Sequence, residues 1–420
     1  MEIKETAVFA VRYRCLDDRR RRDMLFSIAL ILLIGMFAGW LCKKLYLPSL
    51  LGMILTGILL GPYALNMIDS SILNISSELR RMALIIILTR AGLSLDIESL
   101  KKVGRPAVLM CFVPACFEML GMVLLAPRLL EISVLDAAIM GAVIAAVSPA
   151  VIVPKMLKLM ENGYGEEKGI PQLILAGAAV DDVFVIVIFS VFTGLAQGAS
   201  ITPMSFVKIP VSIISGIVVG AILGILLAKY FEKVHIRDTA KVIILLSISF
   251  LVVTFEDKYS DMIPFASLIC VMCVGIALQR KRTVAAGRLS VKFNKLWVAA
   301  EVLLFVLVGA TVDISYVKTA GLAAVILIFG VLVFRMVGVF ICLLGTKLSM
   351  KERVFCMIAY TPKATVQAAI GGIPLSMGLA CGNLVLAVAV LAILITAPLG
   401  AFMIDCTYKR LLTKGGKLYG

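Results

Sequence analysis

The sequence predicts an all-α polytopic membrane protein of about 13 transmembrane helices, and three observations predict it. First, 61% of the 420 residues are hydrophobic and only 16% are charged, with a mean hydropathy of +1.06. A soluble chain is nearer about 45–50% apolar and about 25% charged. Second, apolar runs long enough to cross a bilayer as helices recur along nearly the whole chain. Third, two of these runs are interrupted by proline and glycine in corresponding places of the two halves, the pattern of an inverted repeat with a binding site between two broken crossing helices. The formal net charge of +15 fits lysines and arginines in loops facing anionic lipid, so nucleic acid is not expected as a partner.

The first span covers about 24–42 and follows a polar segment, 1–23, that ends in the run Arg19 to Arg22. The second, about 47–67, carries Gly52, Gly57 and Gly61, which suit close helix contact. The third, about 82–95, includes Arg90, and the fourth, about 106–126, holds Glu118. In the fifth, about 135–160, Pro149 and Pro154 each remove a backbone donor, so the helix is expected to kink or break near Ser148. The sixth, about 170–195, is discussed below. Spans at about 206–229, 240–255 and 263–278 follow. The tenth, about 296–312, contains Glu301, and the eleventh, about 320–344, contains Arg335. The twelfth, about 354–377, is interrupted by Pro362, Gly371, Gly372 and Pro374, and the thirteenth covers about 384–403.

The sixth span is the chemical centre of the chain. Asp181 and Asp182 sit adjacent in LILAGAAVDDVFVIVIFS, a run with no other charge. One charged side chain at the middle of a membrane helix costs at least ~2.5–3.5 kcal/mol, and such residues mark ion or proton pathways. Adjacent helical residues point about 100° apart, so one carboxylate can face a cavity while the other faces a protein partner. Ala176, Gly177, Ala178 and Ala179 let another backbone approach.

The loops set an orientation. Taken alternately, one side collects 25 basic residues and the other six, which puts the C-terminus in the cytoplasm. With an odd number of spans the N-terminus then lies outside. The N-terminal arginine run opposes that, and Met24 is expected to be the true initiator. Inside the spans only Arg90, Arg335 and Lys363 are basic, against Glu118, Asp181, Asp182 and Glu301. Arg335 sits mid-span and calls for a buried partner, with Glu118 or the aspartates available. The cysteines form no disulfide framework, because most lie within apolar runs, and the pair Cys270 and Cys273 has no second pair to complete a zinc site. No nucleophile–base pair or metal set points to an enzyme, and nothing calls for a cofactor.

VSPAVIVPKM, GYGEEKGIPQLILAGAAVDDV and YTPKATVQAAIGGIPL together resemble the monovalent cation:proton antiporter superfamily, in particular the NHA-type sodium/proton antiporters with a DD motif. The resemblance extends over nearly all of residues 24–406 and implies a NapA- or NHA-like fold. It implies a homodimer with dimerisation or scaffold helices in 24–100 and 236–317. Core repeats would occupy 101–200 and 318–406, with a linking helix over 201–235 and a cytoplasmic tail over 407–420. By the same resemblance, Asp182 is the principal ion- and proton-binding carboxylate, binding Na⁺ with its neighbour Asp181, and Ser148 supplies a hydroxyl or carbonyl from the unwound helix. Glu118 and Arg335 form an ion pair within the core, and Lys363 neutralises half-helix C-terminal ends. One departure stands out: related electrogenic antiporters carry a lysine on the eleventh span, where this chain has only Arg335, which stays charged and cannot shuttle a proton.

The function expected is exchange of Na⁺ or Li⁺ for H⁺ across the plasma (inner) membrane by alternating access of a moving core. A potassium/proton exchanger shares every one of these features. A sodium-coupled symporter of organic anions can share the fold, but the scarcity of buried basic groups opposes it.

Overall fold

Backbone polar groups in a membrane must be satisfied within their own segment, which leaves helices as the way for these apolar runs to fold. The computed structural model describes residues 24–45, 47–95, 104–197, 203–234, 236–259 and 265–414. Among them there is no β-strand, only an isolated bridge between Tyr164 and Lys414. The N-terminal segment 1–23, His235 and the last six residues of the expected tail lie outside the described residues.

Among the described residues, nine helical stretches are long and apolar enough to cross a membrane by length and composition. They are Met24–Lys44, Arg105–Leu130, Val134–Glu161, Ile170–Ala196, Ile214–Lys233, Asp238–Tyr259, Thr283–Ala310, Gly321–Cys342 and Gly382–Leu411. The expected second span is the 12-residue helix Ser49–Leu60. The third is Ser76–Ser94, which starts six residues before its expected bound and takes in the polar stretch SSELRR. The tenth is longer than expected, because Thr283–Ala310 is one continuous helix. Arg288, Lys292 and Lys295, expected in a loop, therefore lie on its first turns.

The elements that matter below are α1 (Met24–Lys44), α2 (Ser49–Leu60), α3 (Ser70–Asn74), α4 (Ser76–Ser94), α5 (Arg105–Met110) and α6 (Val113–Leu130). The first interrupted span is α7 (Val134–Ile144) and α8 (Pro149–Glu161), followed by α9 (Ile170–Ala196). Then come α10 (Pro203–Lys233), α11 (Asp238–Tyr259), α12 (Ser267–Lys281), α13 (Thr283–Ala310) and α14 (Ile314–Cys342). The second interrupted span is α15 (Met350–Ala359), α16 (Thr365–Ile370) and α17 (Ile373–Ser376), and α18 (Gly382–Leu411) closes the chain.

Two packing styles coexist. Around α2 and α13, helices meet backbone to backbone. A Cβ on Gly57 would lie 1.9 Å from the Val306 carbonyl oxygen, and one on Gly309 would lie 2.2 Å from that of Ile54. Such contacts let dispersion and weak polar attraction act at the shortest helix separation. The other style is seen where α6 packs on α14 and where α7, α9 and α16 converge, around buried polar groups instead.

At the junction of the two regions, Arg80 on α4 is only 5% exposed. The expected third span, about 82–95, leaves it in a loop. Its Nε donates to the Ser76 carbonyl (3.2 Å), and its guanidinium fills the space where a Cβ of Gly372 would stand, 2.2 Å from Nη1.

Candidate functional site

Each interruption has a covalent cause. In an unbroken helix the Ala145 carbonyl would accept from residue 149, but Pro149 has no N–H. Ser148 is extended (φ −91°, ψ 109°) and ends the helical pattern. Its N–H turns away from Ile144 and donates to the Pro362 carbonyl at 2.8 Å, so the two breaks touch directly. In the second break, 360–364 is non-helical and Lys363 N–H donates to Thr396 Oγ1 (2.9 Å). A third, shorter break separates α5 from α6. Pro114 cannot donate to the Met110 carbonyl, and the Tyr360 hydroxyl donates to it instead (3.4 Å).

Around these breaks the structure gathers every ionisable residue singled out for the site. Glu118, Asp181, Arg335 and Lys363 are fully buried and Asp182 is 8% exposed. Arg335, reaching from α14, serves four acceptors. Its Nε donates to the Tyr360 carbonyl (2.7 Å), Nη1 to Glu118 Oε2 (2.8 Å) and to the Ala145 carbonyl, and Nη2 to Asp181 Oδ2 (2.8 Å). Asp181 Oδ2 also accepts from the Val147 N–H at 2.9 Å. Only a planar guanidinium presents donors in enough directions to do this. Arg335 therefore does not choose between Glu118 and Asp181, since it binds both.

Lys363 differs from its expected position. Its Nζ donates to Glu118 Oε2 at 2.5 Å rather than to the carbonyls at a half-helix end. A buried ammonium gains more from a carboxylate than from partial charges, and Glu118 is within reach across the break. Asp182 makes no ion pair among the described residues, and its Oδ1 is buried without a hydrogen-bond donor. Ser148 is buried, with its Oγ unpartnered as well.

Gln367 on α16 is a residue that the sequence reading passed over. It is fully buried and its Nε2 donates to the carbonyls of Ile144 (3.0 Å) and Ala146 (2.8 Å). The available signal was a lone amide inside the apolar stretch TVQAAI, but an inventory restricted to charges does not register it.

A helical protein that spans the membrane many times, with two interrupted helices meeting beside buried carboxylates, is a secondary ion transporter. The family described as "Sodium/hydrogen exchanger, transmembrane" matches residues 28–409. "Sodium/hydrogen exchanger 9B2" of Homo sapiens is 34% identical over 384 residues, covering 88% of this chain and 70% of that protein. "Sodium/hydrogen exchanger 9B1" of Homo sapiens is 31% identical over 387 residues, covering 88% and 73%. The chain belongs to the sodium/hydrogen exchanger family, whose members are transporters and not enzymes. The solved structure of the sodium proton antiporter MjNhaP1 from Methanocaldococcus jannaschii at pH 8 shares the fold, with a TM-score of 0.82 at 21% identity over 92% of this chain and 98% of that one.

Proposed function

We propose that this protein exchanges Na⁺ or Li⁺ for H⁺ across the plasma membrane by alternating access. The observation that carries the reading is the charge balance of the buried cluster. Glu118, Asp181 and Asp182 face two fixed cations, Arg335 and Lys363, and the ion pairs of Arg335 and Lys363 engage Glu118 and Asp181. With all five ionised, one negative charge is left over, and Asp182 is the carboxylate of the cluster without an ion pair among the described residues. A lone carboxylate in a low-dielectric site is costly, so it is relieved by one proton or one monovalent cation. Loading either leaves the cluster neutral, and loading both does not, so each ligand expels the other.

In this reading Asp182 binds the cargo, Asp181 tunes it through Arg335, and Ser148 and freed carbonyls complete the oxygen shell. Residues 101–200 and 318–406 form the moving core. Residues 24–100 and 236–317 form a scaffold through which two copies associate, the linking helix lies between them, and the C-terminal tail faces the cytoplasm. The cluster draws Glu118 and Asp181–Asp182 from one core repeat and Arg335 and Lys363 from the other, which supports their moving as one body.

The test is proton movement in proteoliposomes, followed by a pH-sensitive dye and titrated separately with Na⁺, Li⁺ and K⁺. Na⁺ and Li⁺ are expected to drive proton release, and Asp182→Asn to abolish it in a protein that still folds. Normal exchange in that variant removes Asp182 from the site, and a response to K⁺ alone replaces the assigned cargo.

A further inference from the structure

Gln367 bridges the two interrupted helices at the point where the first one frees its carbonyls. Three successive carbonyls, those of Ile144, Ala145 and Ala146, accept from side chains of the second half of the chain: the outer two from Gln367 Nε2, the middle one from Arg335. The Gln367 amide thereby fixes the spacing of two carbonyl oxygens, and the second of them, that of Ala146, shares its peptide unit with the Val147 N–H that is bonded to Asp181. A carbonyl oxygen has two lone pairs, so each keeps one after accepting from Gln367. Nε2 has both hydrogens engaged, while the amide's own Oε1 is buried and has no donor.

The surroundings share this lack of donors. Buried oxygens without a partner include Ser148 Oγ, Thr365 Oγ1, Glu118 Oε1, Asp181 Oδ1 and Asp182 Oδ1. A buried acceptor without a donor costs ~1–3 kcal/mol in a folded protein. A set of such acceptors on helices that pack around an unpaired carboxylate is what a hard cation satisfies, because such ions take oxygen ligands. Ions of different radius need different oxygen separations and field strengths. The residue that holds the separation therefore acts on selectivity.

We propose that Gln367 is the specificity-determining residue of the cation site, setting the preference between Na⁺ and Li⁺ by positioning the Ile144 and Ala146 carbonyls and presenting its own buried oxygen beside them. This rests on the antiport reading above and names a residue that acts through neighbouring carbonyls rather than by carrying the exchanged charge.

The experiment compares wild type with Gln367→Met, which keeps the length but removes the amide, and Gln367→Asn, which keeps the amide one methylene shorter. In proteoliposomes the apparent KM for Na⁺ and for Li⁺ is measured on each. The ratio of the two KM values is expected to move about fivefold or more in Gln367→Met, at least the scale of one of the two hydrogen bonds it loses, and less in Gln367→Asn. A residue with a structural role alone lowers the maximal rate for both ions and leaves the ratio where it was, and that result overturns the proposal. Loss of the monodisperse folded species in both variants also overturns it, by reducing Gln367 to a brace. Failure of wild type to exchange either ion removes the antiport reading and this inference with it, whereas an unchanged ratio removes only the inference.

Discussion

The two interrupted helices differ in what they contribute. The first break, 145–148, presents acceptors: its carbonyls take hydrogen bonds from Arg335 and Gln367, and the neighbouring helices of that half carry Glu118, Asp181 and Asp182. The second break, 360–364, lies among donors, with Lys363 in the break itself, Gln367 just after it and Arg335 on the helix before. In the cluster, each half alone would bury charges of one sign. Together they cancel all but one charge, so the surplus that defines the site arises from the pairing of the halves rather than from either repeat.

The most severe way to break that arrangement is Arg335→Leu, which at once removes the ion-pair partner of Asp181, one of the two partners of Glu118 and the donor to the Tyr360 and Ala145 carbonyls. Removal of one partner of a buried pair costs ~3–5 kcal/mol, and a loss at or above the top of that range is expected in thermal unfolding in detergent. A near-neutral result would show that the carboxylates are held by other means. Glu118→Gln comes next. It leaves Lys363 without a carboxylate while Arg335 keeps Asp181, so a loss within the same ~3–5 kcal/mol range is expected. The double variant Glu118→Gln with Arg335→Leu is expected to be less unstable than the two losses added, by ~0.5–3 kcal/mol. Strict additivity would separate the pair energetically.

A third variant probes the fit between the halves. Gly177 lies one turn before Asp181, and a Cβ there would come 2.0 Å from the Tyr360 hydroxyl. Gly177→Ala is expected to cost ~1–3 kcal/mol through overpacking and to reduce transport by displacing Tyr360, whose carbonyl holds Arg335. Unchanged melting and transport would mean that Tyr360 relocates freely. The smallest effect is expected far from the cluster. Arg81 and Asp257 form a two-bond pair at 2.7 Å, with half or about a third of each side chain exposed. A double-mutant cycle there is expected to give ~0.2–1 kcal/mol. A coupling as large as that of Glu118 with Arg335 would erase the distinction between solvated and buried pairs.

The helical class, the place of both breaks and the identity of the five charged residues were legible in the sequence, because proline, glycine and charge are conspicuous in apolar runs. Partner choice was less legible. Arg335 at mid-span pointed to an acid without deciding between Glu118 and Asp181, since the reach of one guanidinium to both depends on how α6, α9 and α14 converge. Lys363 was placed at half-helix ends because sequence distance gives no measure of its proximity to Glu118. Arg80 was placed in a loop because SSELRR looks polar, yet packing against a side-chain-free position buries it. Gln367 was missed because an amide carries no charge.

The seat of Arg80 against Gly372 has a consequence for how this sequence can drift. A methyl at position 372 would meet the guanidinium of position 80 at 2.2 Å, so the two residues constrain each other although they belong to opposite halves of the chain. Substitutions there are acceptable jointly rather than singly. Gly372→Ala on its own is expected to lower folded yield, whereas the same change in an Arg80→Ala background is expected to be tolerated. A library randomised at both positions would return large residues at one only with glycine at the other, and recovery of arginine with a bulky partner would show that the seat is not shared.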